Sequence, residues 1–467
     1  MAGKFRLNVF ATYAFCCLAS CSLSIGVSFA DDESPQSKMT LIAGKTMGTT
    51  YHIKIQIRND HVGAEQDQLL FDAEDLQAKI DQRLKEINQS MSTYLPDSEI
   101  SRFNAASVNQ PFAVSSDFAC VASRALELHE MTKGRFDATV GPLVRFWGFG
   151  GGKAPAKIPT EAQIVEVLKR VGSNHLQLEI HRDTGDQIQA GSLTKTVADL
   201  EVDLSAIAKG YAVDEICRLL SDFSNNFMVE IGGEVRTKGR NVDSGQPWAI
   251  GIELPAGTPL ELANNMAARL ELDGMSLATS GDYRNLVMIE GQEFQHTIDP
   301  VDGRPVANGI HSVSVVCEDC MTADGLATGL MVHTLEEIKE FAKRQSLAVF
   351  VIYGDESGAT QWWTSNEFTG QVLMPDEVDA STTRKAKESN PVYMILGAIV
   401  VFGLAIAGMA IGVILSNRQL KGSCGGLSAM QENGNGEGLS SPCSLCSKPA
   451  SECSRRSEEV AETSPSE

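Results

Sequence analysis

Two oxygen-bearing side chains four residues apart give the clearest chemical signal in this sequence. Asp324 and Thr328 fall in a stretch of helical periodicity, so both side chains project from one face of a predicted helix. A carboxylate beside a hydroxyl is a pair of hard oxygen ligands that suits Mg²⁺ next to a phosphate. The same spacing also occurs as a helix-opening carboxylate and an ordinary i,i+4 contact, so the pair alone leaves both interpretations open.

The segment 203–211 predicts a site for an anionic group. It leads from a strand into a helix, and the N–H groups at a helix N-terminus attract anions. Lys209 lies in the first turn, where the macrodipole ordinarily favours a negative side chain. A positive residue at this position is expected if a phosphate binds there.

Two loop segments carry further candidate ligand contacts. Residues 134–143 bring a cation, an aromatic ring and a carboxylate to one loop, namely Arg135, Phe136 and Asp137. The ring suits either stacking on a planar ligand or ordinary core packing. Gly232 and Gly233 stand between two predicted strands, where backbone N–H groups can approach a ligand, although a tight hairpin turn is the simpler explanation.

His296 ends a predicted strand at a turn. A single histidine is more often structural than catalytic, so only its neighbours in the fold can assign it a role.

Apolar periodicity predicts the elements that position these residues. Helices are expected at 67–91, 116–132, 207–221, 322–332 and 335–343. The apolar residues at helical spacing in the first of these are Leu69, Leu70, Ala73, Leu76, Ile80, Leu84 and Ile87. Short alternating strands are expected at 50–57, 227–231, 248–252, 266–272, 286–289, 311–316 and 347–352. Helices predominate early and strands late, which predicts an α+β domain of helices and antiparallel sheet, not a doubly wound parallel sheet.

Eight stretches follow one another along the chain, namely MGTTY from residue 47, MSTYLPDSEISRFN from 91, RFDATVGPLV from 135, IAKGYAVD from 207, EIGGE from 230, SGDYRN from 280, HTIDP from 296 and ADGLATGL from 323. In this order they resemble the ApbE family of flavin transferases, which attach FMN to proteins from FAD. The resemblance covers residues 40–365. It implies an ApbE-like, T-fold-like domain over residues 37–372.

The resemblance also implies the roles of individual residues. Positions that line the FAD site in the family are matched by Met47, Tyr94, Arg135, Phe136, Asp137, Asp203, Lys209 and Ile298, with Gly232 and Gly233 at its border. The Mg²⁺ ligands are matched by Asp324 and Thr328 and by Ala206 through its backbone carbonyl. His296 matches a histidine implicated in the transfer step. Two positions depart from the family, because Arg135 and Gly325 stand where alanine is frequent.

The implied reaction is Mg²⁺-dependent transfer of FMN from FAD to a threonine or serine hydroxyl of an acceptor protein, with release of AMP. Splitting the pyrophosphate requires that charge on its oxygens be neutralised, which a cation on Asp324, Thr328 and the Ala206 carbonyl provides. His296 either takes the hydroxyl proton or stabilises the phosphate charge. The alternatives are an FAD-binding or FAD-hydrolysing lipoprotein and a non-enzymatic membrane scaffold for assembly.

Residues 1–30 predict an export signal. Lys4 and Arg6 precede an apolar run that is too short to cross a bilayer. Cys21 ends the sequence LASC, which resembles the lipobox of bacterial lipoproteins. Ordinary signal-peptidase cleavage after Ala30 remains the alternative.

Residues 391–416 predict one transmembrane helix, because the 24 residues from Val392 to Leu415 carry no charge. The charged, Ser/Thr-rich stretch 373–390 predicts a linker. An exported N-terminus followed by one stop-transfer span predicts a bacterial inner-membrane protein. Its catalytic domain is then expected in the periplasm and residues 417–467 in the cytoplasm.

The C-terminal tail contains four cysteines, Cys424, Cys443, Cys446 and Cys453. A C-x₂-C pair in a reducing compartment suits tetrahedral binding of iron or zinc. The end of the apolar span, the GSCGGL stretch and the cysteines together resemble NqrM, a small membrane protein that assists maturation of the sodium-pumping NADH:quinone reductase by supplying iron. The resemblance implies iron on these cysteines and flavoprotein subunits of that reductase as acceptors.

Composition argues against nucleic-acid binding. Among 467 residues, 60 Asp and Glu outnumber 39 Lys and Arg, which gives a net charge of −21 and a pI near 4.9. A broad basic face for polyphosphate is therefore not expected. A phosphate ligand must be held by backbone N–H groups, a few local cations or a metal.

Overall fold

The computed structural model describes residues 38–57, 73–150, 152–255, 258, 265–281 and 286–374. The predicted export signal with Cys21, the predicted membrane helix at 391–416 and the four tail cysteines lie outside these residues. In the part of the chain that is described, no helix is both long and apolar enough to span a bilayer.

The strands and helices are numbered along the chain. The strands are β1 (Lys38–Thr46), β2 (Thr49–Ile57), β3 (Phe112–Ser115), β4 (Leu176–Arg182), β5 (Ile188–Lys195), β6 (Phe227–Ile231), β7 (Glu234–Lys238), β8 (Arg240–Asn241), β9 (Gln246–Glu253), β10 (Met266–Leu272), β11 (Ser276–Gly281), β12 (Leu286–Ile289), β13 (Gln292–Gln295), β14 (Ile310–Cys317), β15 (Ala348–Gly354), β16 (Thr360–Thr364) and β17 (Gln371–Val372). The helices are α1 (Ala73–Met91), α2 (Glu99–Ala105), α3 (Ser116–Met131), α4 (Gly141–Phe146), α5 (Glu161–Leu168), α6 (Ala208–Ser221), α7 (Cys320–Met331) and α8 (Leu335–Gln345).

An eight-stranded sheet lies at the centre of the domain, in the order β1-β2-β6-β7-β11-β14-β15-β16. Its neighbouring strands pair antiparallel throughout. Smaller sheets are formed by β3-β5-β4, by β17-β10-β9-β8 and by the β12-β13 hairpin. The expected mixed α+β fold is thus confirmed.

The sequence of β15 is apolar over 348–352 because both faces of this strand are buried. Val349 and Val351 belong to the core beneath the helices, whereas Phe350 and Ile352 belong to the core shared with β9 and β10. Successive side chains of a strand point to opposite faces, so a strand buried on both faces needs apolar residues at every position. The large sheet is therefore the middle layer, with helices on one face and the β17-β10-β9-β8 sheet on the other.

The helices cover one face of the large sheet through their apolar stripes. In α1 this stripe is the predicted one, with Leu76, Ile80, Leu84 and Ile87 buried. Helix α3 begins after Ser115, whose hydroxyl accepts a hydrogen bond from the Phe118 N–H at 3.3 Å and so caps the helix. Helix α7 packs on β11 and β14 and against α6, which brings the first turn of α6 next to the N-terminal half of α7.

Candidate functional site

A cavity of about 780 Å³ opens where α6 and α7 meet the loops around residues 135–150 and 296–300. This volume is typical of sites for small molecules and cofactors. The predicted site residues that line it are Tyr94, Arg135, Phe136, Asp137, Asp203, Ala206, Lys209, His296, Ile298, Asp324 and Thr328. The fold therefore gathers residues from positions 94 to 328 around one space.

Three charged side chains meet in the wall of this cavity. Lys209 Nζ lies 2.8 Å from Glu234 Oε1 and 3.4 Å from Asp324 Oδ1. Both carboxylates are almost completely buried, with 3% of Glu234 and 2% of Asp324 exposed. Two buried carboxylates thus share one ammonium group and leave an excess negative charge in the wall.

Burial shifts the titration of these groups. It raises the pKa of Asp324, although the Lys209 charge and the Gly210 N–H oppose that shift. It also raises the pKa of Glu234, to about 7, against the lowering effect of Lys209. Burial alone would lower the pKa of Lys209, but the two carboxylates raise it overall, so the ammonium stays charged.

Gly210 sets the close approach of α6 and α7. A Cβ atom at this position would overlap the carbonyl oxygen of Cys320 and would lie 2.8 Å from the Asp324 Cβ. The Gly210 N–H, in the first turn of α6, donates to Asp324 Oδ2 at 2.9 Å. Asp324 therefore caps the N-terminus of the neighbouring helix with one oxygen and presents the other towards Lys209.

The predicted metal ligands form a chemically suitable set. Asp324 supplies a carboxylate, Thr328 a hydroxyl and Ala206 a half-buried backbone at the cavity wall. Ser280 adds a second hydroxyl, 3.0 Å from Thr328 Oγ1. Within the described residues no group of three or more His, Cys, Asp or Glu side chains is suited to hold a metal. A cation here would rely on mixed hard oxygen donors, which fit Mg²⁺.

The loop after α3 is organised by Asp137. Its Oδ1 accepts from the Thr139 N–H at 2.8 Å and from the Thr139 hydroxyl at 2.6 Å. Ser173 donates to the same carboxylate through its N–H and its hydroxyl, at 3.0 and 2.8 Å. His129 Nδ1 lies 3.1 Å from Oδ2. The Asp137 carboxylate thus forms its hydrogen bonds within the protein, and these bonds fix the shape of the cavity wall.

The two residues before Asp137 have different environments, because Arg135 forms an ion pair and Phe136 is buried. Arg135 pairs with Asp299, whose other oxygen accepts from the Val301 N–H at 2.8 Å. Phe136 is only 4% exposed, and its ring lies near Gly325 of α7 within the main core, so the ring contributes mainly to packing. Of the two roles open to this ring, the packing favours the structural one.

Tyr94, Asp203 and His296 occupy different parts of the cavity wall. Tyr94 is 73% exposed, which leaves its ring accessible for stacking. Asp203 accepts from the Ser205 N–H at 2.9 Å and so shapes the turn that leads into α6. His296 follows β13 directly, and its ring meets that of Phe149 edge-to-face, with centroids 6.5 Å apart.

Met47, Gly232 and Gly233 are not among the cavity-lining residues. Met47 lies in the β1-β2 turn, and the two glycines form the β6-β7 turn. Gly232 has a φ of 62° and donates its N–H to the Thr50 carbonyl at 3.1 Å, which places the two turns side by side. The hairpin explanation of the glycine pair accounts for this geometry.

The sequence alone did not single out Glu234, Ser280 or Asp299. Each stands inside a stretch that carries the family resemblance, at the end of EIGGE, the start of SGDYRN and within HTIDP. Their place in these stretches was the feature of the sequence that could have identified them as site residues. Glu234 and Ser280 line the cavity and Asp299 pairs with Arg135, but these contacts join residues distant in sequence, which a local pattern does not contain.

Comparisons with known proteins identify the family of the described domain. The model of the ApbE family matches residues 47–351, and a model described as (Na+)-NQR maturation NqrM matches residues 413–465. The FAD:protein FMN transferase of Haemophilus influenzae is 39% identical over 325 residues, which cover 69% of this chain and 89% of the relative. The protein of the same name from Vibrio cholerae is 40% identical, covering 72% and 93%.

Two solved structures resemble the described domain. Flavin transferase ApbE from Vibrio cholerae aligns with a TM-score of 0.59 and 39% identity, over 71% of this chain and 98% of that one. The apo form of Pseudomonas stutzeri flavinyl transferase ApbE aligns with a TM-score of 0.60 and 32% identity, over 71% and 96%.

Proposed function

This chain belongs to the ApbE family, and we propose that it is an FAD:protein FMN transferase. The observation that carries the proposal is the meeting of Lys209 and Asp324 at the N-terminus of α6, inside a cavity of cofactor size. A helix N-terminus and an ammonium group provide positive charge for a pyrophosphate. The adjacent carboxylate and hydroxyl provide the hard oxygens for a divalent cation.

The protein's own groups define how the reaction would proceed. Lys209 and the α6 N-terminus would bind the two phosphates, and Tyr94 offers an exposed ring for stacking on a planar part of FAD. Asp324, Thr328 and the Ala206 carbonyl would hold Mg²⁺, which supplies charge neutralisation at the pyrophosphate oxygens when bound. Because Glu234 and Asp324 outnumber Lys209 in this wall, Lys209 alone would not neutralise a pyrophosphate, and the proposed metal site is needed for a dinucleotide to bind.

The transfer itself exchanges one phosphorus–oxygen bond for another. The hydroxyl oxygen of an acceptor threonine or serine would attack the phosphorus on the FMN side. The bond from that phosphorus to the bridging oxygen breaks, and AMP leaves with its electron pair. His296 either accepts the proton of the hydroxyl or stabilises the charge on the transferred phosphate.

Asp324→Asn tests the role of the carboxylate. The full-length protein is incubated with FAD, Mg²⁺ and an acceptor protein, and the acceptor is weighed by mass spectrometry. We expect the transfer rate to fall by about a hundredfold or more, as when a group that stabilises transition-state charge is lost. Asp222→Asn, at the exposed end of α6, is the matched control and should transfer FMN normally. Wild-type transfer by Asp324→Asn contradicts the assignment.

The same assay separates the alternatives. FMN and AMP formed without a mass increase on the acceptor would identify an FAD-hydrolysing enzyme. Intact FAD in every reaction would identify a binding protein. If His296→Ala abolishes flavin attachment while the acceptor complex still assembles, a scaffold role is excluded.

We also propose a role for the C-terminal region. The NqrM match over residues 413–465 contains Cys424, Cys443, Cys446 and Cys453. It supports subunits of a sodium-pumping NADH:quinone reductase as the acceptors, with iron delivered to the same complex by the tail. The location that fits both activities is the bacterial inner membrane, with the transferase domain in the periplasm and the tail in the cytoplasm.

A further inference from the structure

Glu234, the first residue of β7, forms the shortest charged contact of Lys209. Its Oε1 lies 2.8 Å from Lys209 Nζ, whereas Asp324 Oδ1 lies 3.4 Å from the same nitrogen. The first distance is that of a full charge-assisted hydrogen bond, and the second is near the limit at which a hydrogen bond is counted. Lys209 is therefore held more firmly by Glu234 than by Asp324.

The two oxygens of Asp324 have different surroundings. Oδ2 accepts the Gly210 N–H at 2.9 Å, whereas Oδ1 faces Lys209 and is the oxygen left for a ligand cation. A divalent cation at Oδ1 and an ammonium group drawn against the same oxygen would repel each other. In a wall where both carboxylates are almost fully buried, that repulsion is only weakly screened.

We propose that Glu234 is a positioning residue that draws Lys209 away from Asp324 Oδ1 and so keeps this oxygen available to a divalent cation. The inference rests on the proposed function, because it requires a metal at Asp324. When the Glu234 charge is removed, the ammonium group has Asp324 as its remaining anionic partner in this wall. Lys209 then closes on Asp324 and competes with the metal.

A double-mutant cycle on the full-length protein tests this competition. Mn²⁺ serves as the probe, and free Mn²⁺ is measured by electron paramagnetic resonance with and without FAD. Glu234→Gln should weaken Mn²⁺ binding by about tenfold, which lies within the range of interaction energies between charged residues in contact. Lys209→Gln should strengthen binding. In the Lys209→Gln background, Glu234→Gln should change the affinity by less than about threefold.

The cycle distinguishes positioning from a simple charge effect. If Glu234 acted only as a nearby negative charge, its removal would weaken binding equally with and without Lys209, and that result overturns the proposal. An unchanged affinity of Glu234→Gln overturns it as well. Glu230→Gln is the matched control, because Glu230 lies in the same hairpin but contacts His52 and the Gly233 N–H instead of Lys209. If Glu230→Gln lost a comparable amount of Mn²⁺ affinity, the effect would come from a disturbed hairpin, and this result would also overturn the proposal.

Asp324→Asn separates this inference from the proposed function. If Asp324→Asn abolishes Mn²⁺ binding while the effects of Glu234→Gln and Lys209→Gln simply add, the metal site is supported and only the proposed role of Glu234 fails. If the wild-type protein binds no Mn²⁺ with or without FAD, the metal assignment and the role of Glu234 both fail.

Discussion

His129 and Asp137 show how one ion pair shapes the cavity wall. The His129 Nδ1 atom lies 3.1 Å from Asp137 Oδ2, and this hydrogen bond raises the pKa of His129. Burial alone would raise the pKa of Asp137, but bonds from His129 and Thr139 lower it overall. The charged pair is therefore complete at mildly acidic pH, where the histidine is protonated and the aspartate is ionised.

The stability that this pair contributes depends on pH in a defined direction. A histidine whose folded-state pKa is raised stabilises the protein fully below its ordinary pKa of 6.5, and this contribution is lost as pH rises through the folded-state value. We expect His129→Gln to lower the free energy of unfolding by about 1 kcal/mol or more at pH 6, and by clearly less at pH 9. Urea unfolding at both pH values measures the difference.

His181→Gln provides the control for that experiment, because His181 is exposed on β4. It should leave stability unchanged at either pH. An equal loss for His129→Gln at pH 6 and pH 9 would show that the ring acts by packing and not by its charge.

The limits of sequence reasoning are clearest for single side chains. Asp324, Thr328, Lys209 and His296 were predicted as site residues, and the fold places all four at one cavity. Glu234 was not predicted, although it contacts Lys209 more closely than Asp324 does. Its orientation follows from the register of β6 and β7, in which Ile231 pairs with Glu234. The local pattern predicts this hairpin, but it does not reveal that Glu234 meets Lys209 of α6 beside Asp324 of α7, because those residues are distant in sequence.

Helices α6 and α7 determine where the oxygens proposed to bind a metal lie, and Gly210 permits the close approach of the two helices. Gly210→Ala would force its new methyl group against the Cys320 carbonyl, a backbone atom that cannot rotate away. We expect this variant to lose about 1–3 kcal/mol of stability, as for other overpacked sites, together with much of its transfer activity. Urea unfolding and the acceptor mass assay measure the two effects.

Gly185→Ala is the matched substitution for that test. A Cβ at Gly185 would meet only Asp183 Oδ1, at 3.4 Å, so the change should alter stability by less than about 0.5 kcal/mol. If Gly210→Ala were equally harmless, the close packing of α6 on α7 would not matter for the site.

Regular elements were predictable where one face was apolar and the other polar. Strands β6, β10 and β12 have the predicted bounds, and α1 has the predicted buried stripe. Helix α7 begins two residues earlier than predicted, because the Asp319 side chain caps it by accepting from the Thr322 N–H at 2.8 Å. Strand β11 was missed because its sequence, SLATSG, neither alternates nor favours strands, and its position between β7 and β14 decides its conformation.

The chain as a whole joins two family regions, and their activities should be separable. Cys443→Ser combined with Cys446→Ser removes two of the four tail thiols, so the full-length variant, purified anaerobically, should lose nearly all bound iron. Its rate of FMN transfer should stay at the wild-type value, because the cavity residues are unchanged. Iron analysis and acceptor mass spectrometry on the same preparation measure both outcomes.

Cys120→Ser is the control for the tail variant, since Cys120 is a free thiol of α3. It should retain the iron. A wild-type protein without iron would contradict the proposed role of the tail while leaving the transferase proposal intact.

The order of the cavity residues along the chain has a consequence for biosynthesis. Tyr94 is made early, whereas α7, which bears Asp324 and Thr328, is inserted against β11 and β14 near the end of the domain. Prematurely terminated polypeptides that stop before α7 would lack both proposed metal ligands. By the proposed mechanism such fragments would not cleave the dinucleotide, so abortive translation products would not consume the cell's FAD.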